Sequence, residues 1–362
     1  MKNLGRFLIA LGAWLVLLYA WPVMHHAQPT ADSTQSRVKR HTKLTHPQNP
    51  LLKTQGPAKF INQPATKLVA QYGQPVKQSV EDGLQSRWLF QLNSRHYVEA
   101  TIDDQTGTTQ QLVVIGQDNA IKPFEFGQSL KAITQITTIP ANYELNLHEQ
   151  KFQIELNETQ QRQRPLIAFK NKTYAILVMQ KGGVATVVYL NANCLLQSNL
   201  YPVTSMTPVP VPEVATGQSQ QVDDERQLAL LQYCQTIRLN AKLPELRSDV
   251  LLEADQLFLK TLEEAPKTLL TDSGKRRLKR AKQQRQTALP QKLTEADFTA
   301  KALADYQLTK QQLFYFDQPV SVQQLIFERQ TNPAFYRSIH DQAYQRIQII
   351  CTEGHTLVVI GE

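Results

Sequence analysis

Three prolines at alternate positions, Pro208, Pro210 and Pro212, divide this chain more sharply than any other feature. Proline has no N–H to donate and its ring fixes φ, so neither a helix nor an inner strand runs through such a segment. Residues 204–222, where Thr, Val, Ser and Gln surround the prolines, therefore read as a stiff, extended linker. Composition changes across it. A chain of 362 residues also exceeds one ordinary core and suits two domains.

Before the linker, β-branched and aromatic runs predict strands at 87–92, 96–102, 111–116, 143–147, 152–156, 165–169, 174–179 and 185–190. Asn171-Lys172 and Gly182-Gly183 read as hairpin turns. Short helices are expected at 65–71 and after Ser129. Residues 62–203 are thus an antiparallel, β-rich domain with two small helices. After the linker, Asp223, Asp224 and Glu225 favour a helix start, because acidic groups suit the positive end of the helix dipole. That helix runs to Asn240 with Leu228, Leu231, Cys234 and Ile237 on one face. Ser248 and Asp249 cap a second helix through Glu264. Further helices are expected at 295–305 and 321–329, and a closing hairpin at 346–351 and 356–360. Residues 223–362 read as a second domain, so the fold class is α+β.

The N-terminus sets the compartment. Lys2 and Arg6 precede an apolar run from Phe7 to Met24, about 18 residues, at the lower limit for crossing a bilayer. His25, His26 and Ala27 follow, which is not a small-x-small cleavage site. Trp14, Tyr19 and Trp21 suit the outer interface, and the leading positive charges put the N-terminus inside. The expectation is an uncleaved signal anchor over residues 1–24. The chain then sits in the cell membrane as a single-pass protein with its domains extracytoplasmic. Residues 25–61, with Arg37, Lys39, Arg40 and Lys43, read as a disordered spacer.

The net charge of +8 favours anionic wall polymer or lipid headgroups as surroundings. Nucleic acid is not an expected partner of an exported chain. Cys194, Cys234 and Cys351 form no CxxC pair and no metal-ligand spacing, and a disulfide framework in a chain this size needs more than three, which leaves a single Cys234–Cys351 bridge as the alternative to free thiols. Cys234 and Cys351 are expected to pack as small apolar residues.

Catalytic signatures are absent from the sequence: no G-x-S-x-G, no H-E-x-x-H and no phosphate-binding Gly loop. His148-Glu149 and Asp103-Asp104 read as turn pairs. The densest chemical feature is basic, with seven cations in eleven residues: Lys275, Arg276, Arg277, Lys279, Arg280, Lys282 and Arg285. Such a run is either a solvated helix face or a surface for anionic polymer or headgroups. No cofactor is expected.

Several motifs resemble a known family. Gln235-x-x-Arg238, then Leu243-Pro244-Glu245-Leu246, then Asp249, Leu251 and Ala254, then Asn332-Pro333-Ala334-Phe335-Tyr336-Arg337 before a strand pair resemble the CAP superfamily in its bacterial form. Tyr72-Gly73-x-Pro75, Trp88, Tyr97, Phe126-Gly127-x-Ser129 and the Tyr174 strand pair resemble the CAP-associated N-terminal domain that precedes CAP domains in Gram-positive proteins. The resemblance implies an α-β-α sandwich for the second domain. It also implies a cleft where two His and acidic residues hold a divalent metal. Here the first His falls on Tyr336, the second near Leu269, and the acidic position near Leu313 or Phe314. Phenol and hydrocarbon do not replace imidazole or carboxylate as metal ligands. His340, one helical turn beyond Tyr336, remains a candidate for the same cleft, and His355 reads as a solvated turn residue. The implied function is a non-enzymatic binding or scaffolding protein with an unidentified protein or polymer partner. A cell-envelope hydrolase using the CAP cleft is the alternative.

Overall fold

Strand-forming residues fill the first half. In a computed structural model that describes residues 51–82, 84–90, 95–116, 120–210, 220–248, 253–283, 290–328, 333–352 and 354–362, it contains β1 (Leu51–Leu52), β2 (Lys77–Asp82), β3 (Gln85–Phe90), β4 (Tyr97–Asp103), β5 (Thr108–Ile115), β6 (Asn142–Leu147), β7 (Gln150–Glu155), β8 (Leu166–Phe169), β9 (Tyr174–Gln180), β10 (Gly183–Leu190) and β11 (Val203–Ser205). Four short helices accompany them: α1 (Thr66–Tyr72), α2 (Leu130–Ile136), α3 (Glu158–Gln163) and α4 (Ala192–Gln197). An eight-stranded sheet runs β1-β8-β9-β10-β5-β4-β3-β2, antiparallel except for β1 on β8, and a small sheet runs β11-β7-β6. The expected strands are present with ends moved by a residue or a few. β2 was not expected, because Lys77–Asp82 is polar and forms the sheet's outer edge.

The expected spacer ends earlier than residue 61. Leu51 and Leu52 pair with Ala168 and Phe169, and a 3₁₀ turn, Gly56–Phe60, buries Pro57, Ala58 and Phe60. Three apolar side chains at its end (Ala58, Phe60 and Ile61) are enough to draw this segment into the core. Ser205 likewise lies in a strand, so the linker begins after β11. Residues 1–50, including the apolar run and the first part of the spacer, lie outside the described residues, as do linker residues 211–219. Among the described residues, no helix is long and apolar enough to cross a membrane.

The turn reading of His148-Glu149 holds: both residues have positive φ and join β6 to β7. Asp103 opens the β4–β5 turn, its Oδ1 accepting from the N–H groups of Gln105 and Thr106 at 2.9 Å. The Phe126-Gly127-x-Ser129 turn packs on the β9–β10 turn. Gly127 N–H donates to Val184 O at 2.8 Å, and Val184 N–H donates to Gln128 O at 3.0 Å. A Cβ on Gly183 would lie 2.5 Å from Gly127 O, so this approach needs glycine.

The second half is the expected α-β-α sandwich. Its helices are α5 (Gln220–Asn240), α6 (Glu253–Glu264), α7 (Pro266–Leu269), α8 (Asp272–Gln283), α9 (Ala300–Asp305), α10 (Val322–Glu328) and α11 (Pro333–Ile339). Its strands are β12 (Arg247–Ser248), β13 (Gln291–Leu293), β14 (Gln311–Phe316), β15 (Arg346–Cys351) and β16 (Thr356–Gly361), in the order β12-β15-β16-β14-β13. Strand alternation sends neighbouring residues to opposite faces. Phe314, Phe316, Val358 and Ile360 meet α5, α10 and α11, while Leu313, Tyr315, Leu357 and Val359 meet α6, α8 and the α9 region.

Two expectations about helices change. The single helix over 295–305 is two pieces, a 3₁₀ turn at Glu295–Asp297 and then α9, because Phe298 leaves the helical path to pack against Phe258 and Thr299 caps α9. The expected apolar face of α5 is also too narrow. Ala229, Leu230, Tyr233, Cys234 and Ile237 are buried, but so are Asp223, Glu225, Arg226 and Arg238, whereas Leu228 and Leu231 are half-buried. The cause is packing on two sides. One continuous core runs from Tyr97, Val113 and Ile115 of the first half, across α5, to Phe314, Ile349 and Val358 of the second. Burying each of these larger apolar side chains contributes on the order of 1.5–3 kcal/mol. The two halves are therefore one folded body. The cap at Ser248-Asp249 falls partly on residues 249–252, outside the described residues.

Candidate functional site

The position expected to carry the family's first His belongs to α11. This short helix places Phe335 and Tyr336 inward and Arg337 outward. Tyr336 is 7% exposed. Its hydroxyl donates to Leu325 O at 2.7 Å and lies 2.9 Å from the Tyr233 hydroxyl. One hydroxyl carries one proton, so Tyr233 donates to Tyr336 and Tyr336 donates to the α10 carbonyl. The Phe335 and Tyr336 rings meet edge-on, and Phe335 does the same with Phe314. The other two family positions are also core. Leu269 is 5% exposed, and Leu313 and Phe314 are buried on opposite faces of β14. Among the described residues, these positions present no imidazole or carboxylate to a cation. The donor set does not fit the metal that the family implies.

His340 does not join Tyr336 in one cleft. It lies just past α11, where its Nδ1 is 2.7 Å from Tyr336 O. Its ring lines a cleft of about 350 Å³ between the two halves, bounded by Ile237, Asn240 and Ala241 at the end of α5 and by the β9–β10 turn with Lys181 and Gly182. That volume is at the low end for small-ligand pockets. The Asn240 side-chain oxygen is buried there with no hydrogen-bond partner.

The motif residues that carried the resemblance turn out to hold loops together. Arg238, 1% exposed, donates from Nε to Pro244 O at 2.8 Å, from Nη1 to Ile339 O at 2.7 Å and Asp341 O at 3.0 Å, and from Nη2 to Tyr344 O at 3.3 Å. Gln235 exchanges two bonds with the backbone of Leu246. A planar guanidinium with rigid donors suits such a set of carbonyls.

Sequence reasoning missed one polar constellation. His355 is not a solvated turn residue. Its Nε2 is 3.2 Å from Asp317 Oδ1, its Nδ1 is 2.7 Å from Glu263 Oε1 outside hydrogen-bond alignment, and its ring stacks on Tyr315 at 5.5 Å. The Tyr315 hydroxyl also donates to Asp317 at 3.2 Å. The two carboxylates face opposite ring nitrogens, so they cannot converge on one ion through this imidazole. Among the described residues, no group of three or more His, Cys, Asp or Glu is arranged to hold a metal. No local signal in the sequence linked these three, which come from α6, the end of β14 and the β15–β16 turn.

All three cysteines are free thiols, and burial pushes Cys234 and Cys351 up to about 12, consistent with small packing residues. A polar set also crosses between the halves. Arg87 Nη2 donates to Glu225 O at 2.7 Å, and Gln111 Nε2 donates to Gln323 Oε1 at 3.1 Å. Tyr97 donates to the buried Glu99 carboxylate; burial raises the pKa of Glu99, with Arg87 and the Tyr97 hydrogen bond opposing that rise.

The basic stretch is mostly α8. Gly274 and Leu278 face inward, while Arg276, Arg277, Lys279 and Arg280 are exposed and Lys275 is half-buried. Lys275 pairs with Asp272 at 3.1 Å, and Arg277 pairs with the buried Asp297 at 3.3 Å. Lys282 lies within α8, and Arg285 lies outside the described residues.

The sequence model of the CAP-associated N-terminal family matches residues 61–201, close to the expected bounds of the first domain. No curated protein sequence matches the chain. Among solved structures, a cysteine-rich secretory protein from Staphylococcus aureus subsp. aureus Mu50 superimposes with a TM-score of 0.65 at 14% identity, covering 87% of this chain and 95% of that one. An extracellular protein containing an SCP domain from Bacillus anthracis str. Ames superimposes with a TM-score of 0.62 at 11% identity, covering 90% of this chain and 99% of that one. Residues 61–201 match the CAP-associated N-terminal family, and the described chain as a whole shares the fold of these two bacterial structures.

Proposed function

We propose that this chain is a non-catalytic binding or scaffolding protein of the bacterial envelope, tethered at the outer face of the cytoplasmic membrane by its N-terminal segment. The observation that carries the reading is the closure at Tyr336. Where the family implies a metal-binding imidazole, a phenol ends a hydrogen-bonded chain inside the core. The tether rests on the apolar run Phe7–Met24 behind Lys2 and Arg6. The solved structure described as extracellular supports the same compartment by likeness of fold.

The test is elemental analysis and Zn²⁺ calorimetry on the full chain in neutral detergent, with Tyr336→His and His340→Ala alongside. The expected result is no stoichiometric zinc in any of the three. One equivalent in the unaltered chain that disappears with His340→Ala would overturn the degenerate-site reading. Protease shaving of intact cells tests the tether. Digestion from outside is expected, and full protection would refute it.

A further inference from the structure

The exposed cations of α8 do not stand alone. β13 is the outer strand of its sheet and lies against α8, with Arg277 Nη1 donating to Lys292 O at 3.2 Å. On α11, Arg337 is exposed beside the buried Tyr336. Lys292 pairs with Phe314, whose ring meets Phe335 of α11 edge-on, so β13 borders α11 as well as α8; burial, then Arg337 and then Arg277 hold the Lys292 ammonium below its usual range. Among the described residues, no ion pair within 4.0 Å joins a carboxylate to Lys279, Arg280, Lys292 or Arg337, whereas Lys275 and Arg277 have Asp272 and Asp297 and Arg276 lies close enough to Asp272 to act on it. Like charges gathered from three elements repel, and a bound polyanion relieves that repulsion.

We infer that α8, β13 and α11 form a docking track for a linear, phosphodiester-bearing polyanion, with Arg276, Lys279, Arg280, Lys292 and Arg337 as its phosphate contacts. Guanidiniums meet phosphate with paired, parallel hydrogen bonds, and three of the five contacts are arginines. A membrane headgroup layer is the weaker partner for this face. A surface-seeking helix inserts an apolar side, but Leu278 of α8 is 3% exposed and turned into the domain core. Among the described residues, α8, β13 and α11 carry none of the exposed large hydrophobic side chains. The track is separate from the closed CAP site, so its test is independent of the zinc experiment.

The experiment titrates the full chain, in neutral detergent at about 0.15 M salt, with labelled long-chain inorganic polyphosphate followed by anisotropy. Three charge-removing variants are compared: Arg276→Gln/Lys279→Gln/Arg280→Gln, Lys292→Gln/Arg337→Gln, and a control on the first half, Lys59→Gln/Lys67→Gln/Lys170→Gln. Glutamine keeps helix propensity close to that of Lys and Arg, so the α8 variant folds. The first variant is expected to weaken binding at least about tenfold and to lower the log–log salt slope by about two to three, as counterion release requires. The second is expected to weaken binding several-fold, and the control to leave it unchanged. An equal loss in the control would show that net charge alone governs binding and would overturn the track. No effect of the second variant would remove β13 and α11 from it. Binding to vesicles with about one-third phosphatidylglycerol, but not to polyphosphate, would overturn the polymer and name lipid as the partner.

Discussion

Tyr336→Phe is the sharpest perturbation of the reading that this position is structural. The substitution keeps the ring and its edge-on contact with Phe335, and removes only the hydroxyl. Two bonds go: the donation to Leu325 O at 2.7 Å and the acceptance from Tyr233 at 2.9 Å. Both partners are buried, so Tyr336→Phe should cost about 1–3 kcal/mol, the cost of leaving buried polar groups unmade. Tyr233→Phe removes one bond and leaves Tyr336 donating to Leu325, so it should cost about 1 kcal/mol. The double variant should cost less than the sum by roughly 0.5–1 kcal/mol, because the hydroxyl pair is lost once. The assay is urea unfolding of all four proteins followed by near-ultraviolet circular dichroism. A neutral or stabilising Tyr336→Phe would refute the reasoning, since it would mean the hydroxyl is not committed within the core and remains open to a ligand.

His355→Ala removes the imidazole partner of the buried Asp317 and should destabilise the protein by about 1–3 kcal/mol in thermal unfolding, with Asp317→Asn restoring part of the loss. Arg238→Lys cannot reach the same four carbonyls from one ammonium and should cost roughly 3 kcal/mol or more by the same assay, because the charge stays buried with acceptors unmet. Burial raises the pKa of Glu99 in the folded state, so the fold binds this proton more tightly than the unfolded chain does. Stability should therefore fall as pH rises from the ordinary carboxylate range through the folded value, and Glu99→Gln should flatten that slope in pH-dependent unfolding. A fragment ending at residue 210 exposes Tyr97, Val113 and Ile115, so it should bind a hydrophobic dye and lack a cooperative unfolding transition; a cooperative monomer would show that the halves do not need their common core.

The strands of the first half were legible because Val113, Val114, Ile176 and Val187 are β-branched and their runs end at turn residues such as Lys172 and Gly182. The polar edge strand Lys77–Asp82 carried no such signal, since a strand paired on one side only needs little apolar surface. Periodicity misjudged α5 because it presumes one buried face and one wet face, whereas this helix packs on two sides. The sequence singled out Tyr336, although the Tyr233 and Leu325 contacts that bury its hydroxyl were not legible in it. The His355 set was illegible for a simpler reason. Glu263, Asp317 and His355 are brought together only by the sandwich, and nothing local distinguishes them from solvated charges.

The burial of Tyr336 and the joining of the halves are connected through α5. Tyr336 does not merely fill a vacated place; its hydroxyl partner Tyr233 sits on the helix that both halves bury. That same helix carries Ala229, Leu230 and Ile237 into the core shared with Tyr97, Val113 and Ile115. An imidazole binding a metal at position 336 would need an open path and water on one side. A core continuous across α5 permits neither. Restoring histidine at 336 would therefore not restore a site, because its ring would enter a sealed aromatic cluster with Phe314 and Phe335, while Leu269 and Leu313 lie on the other face of the sheet. The cleft at His340 and the exposed cations of α8 and α11 lie apart from that sealed cluster.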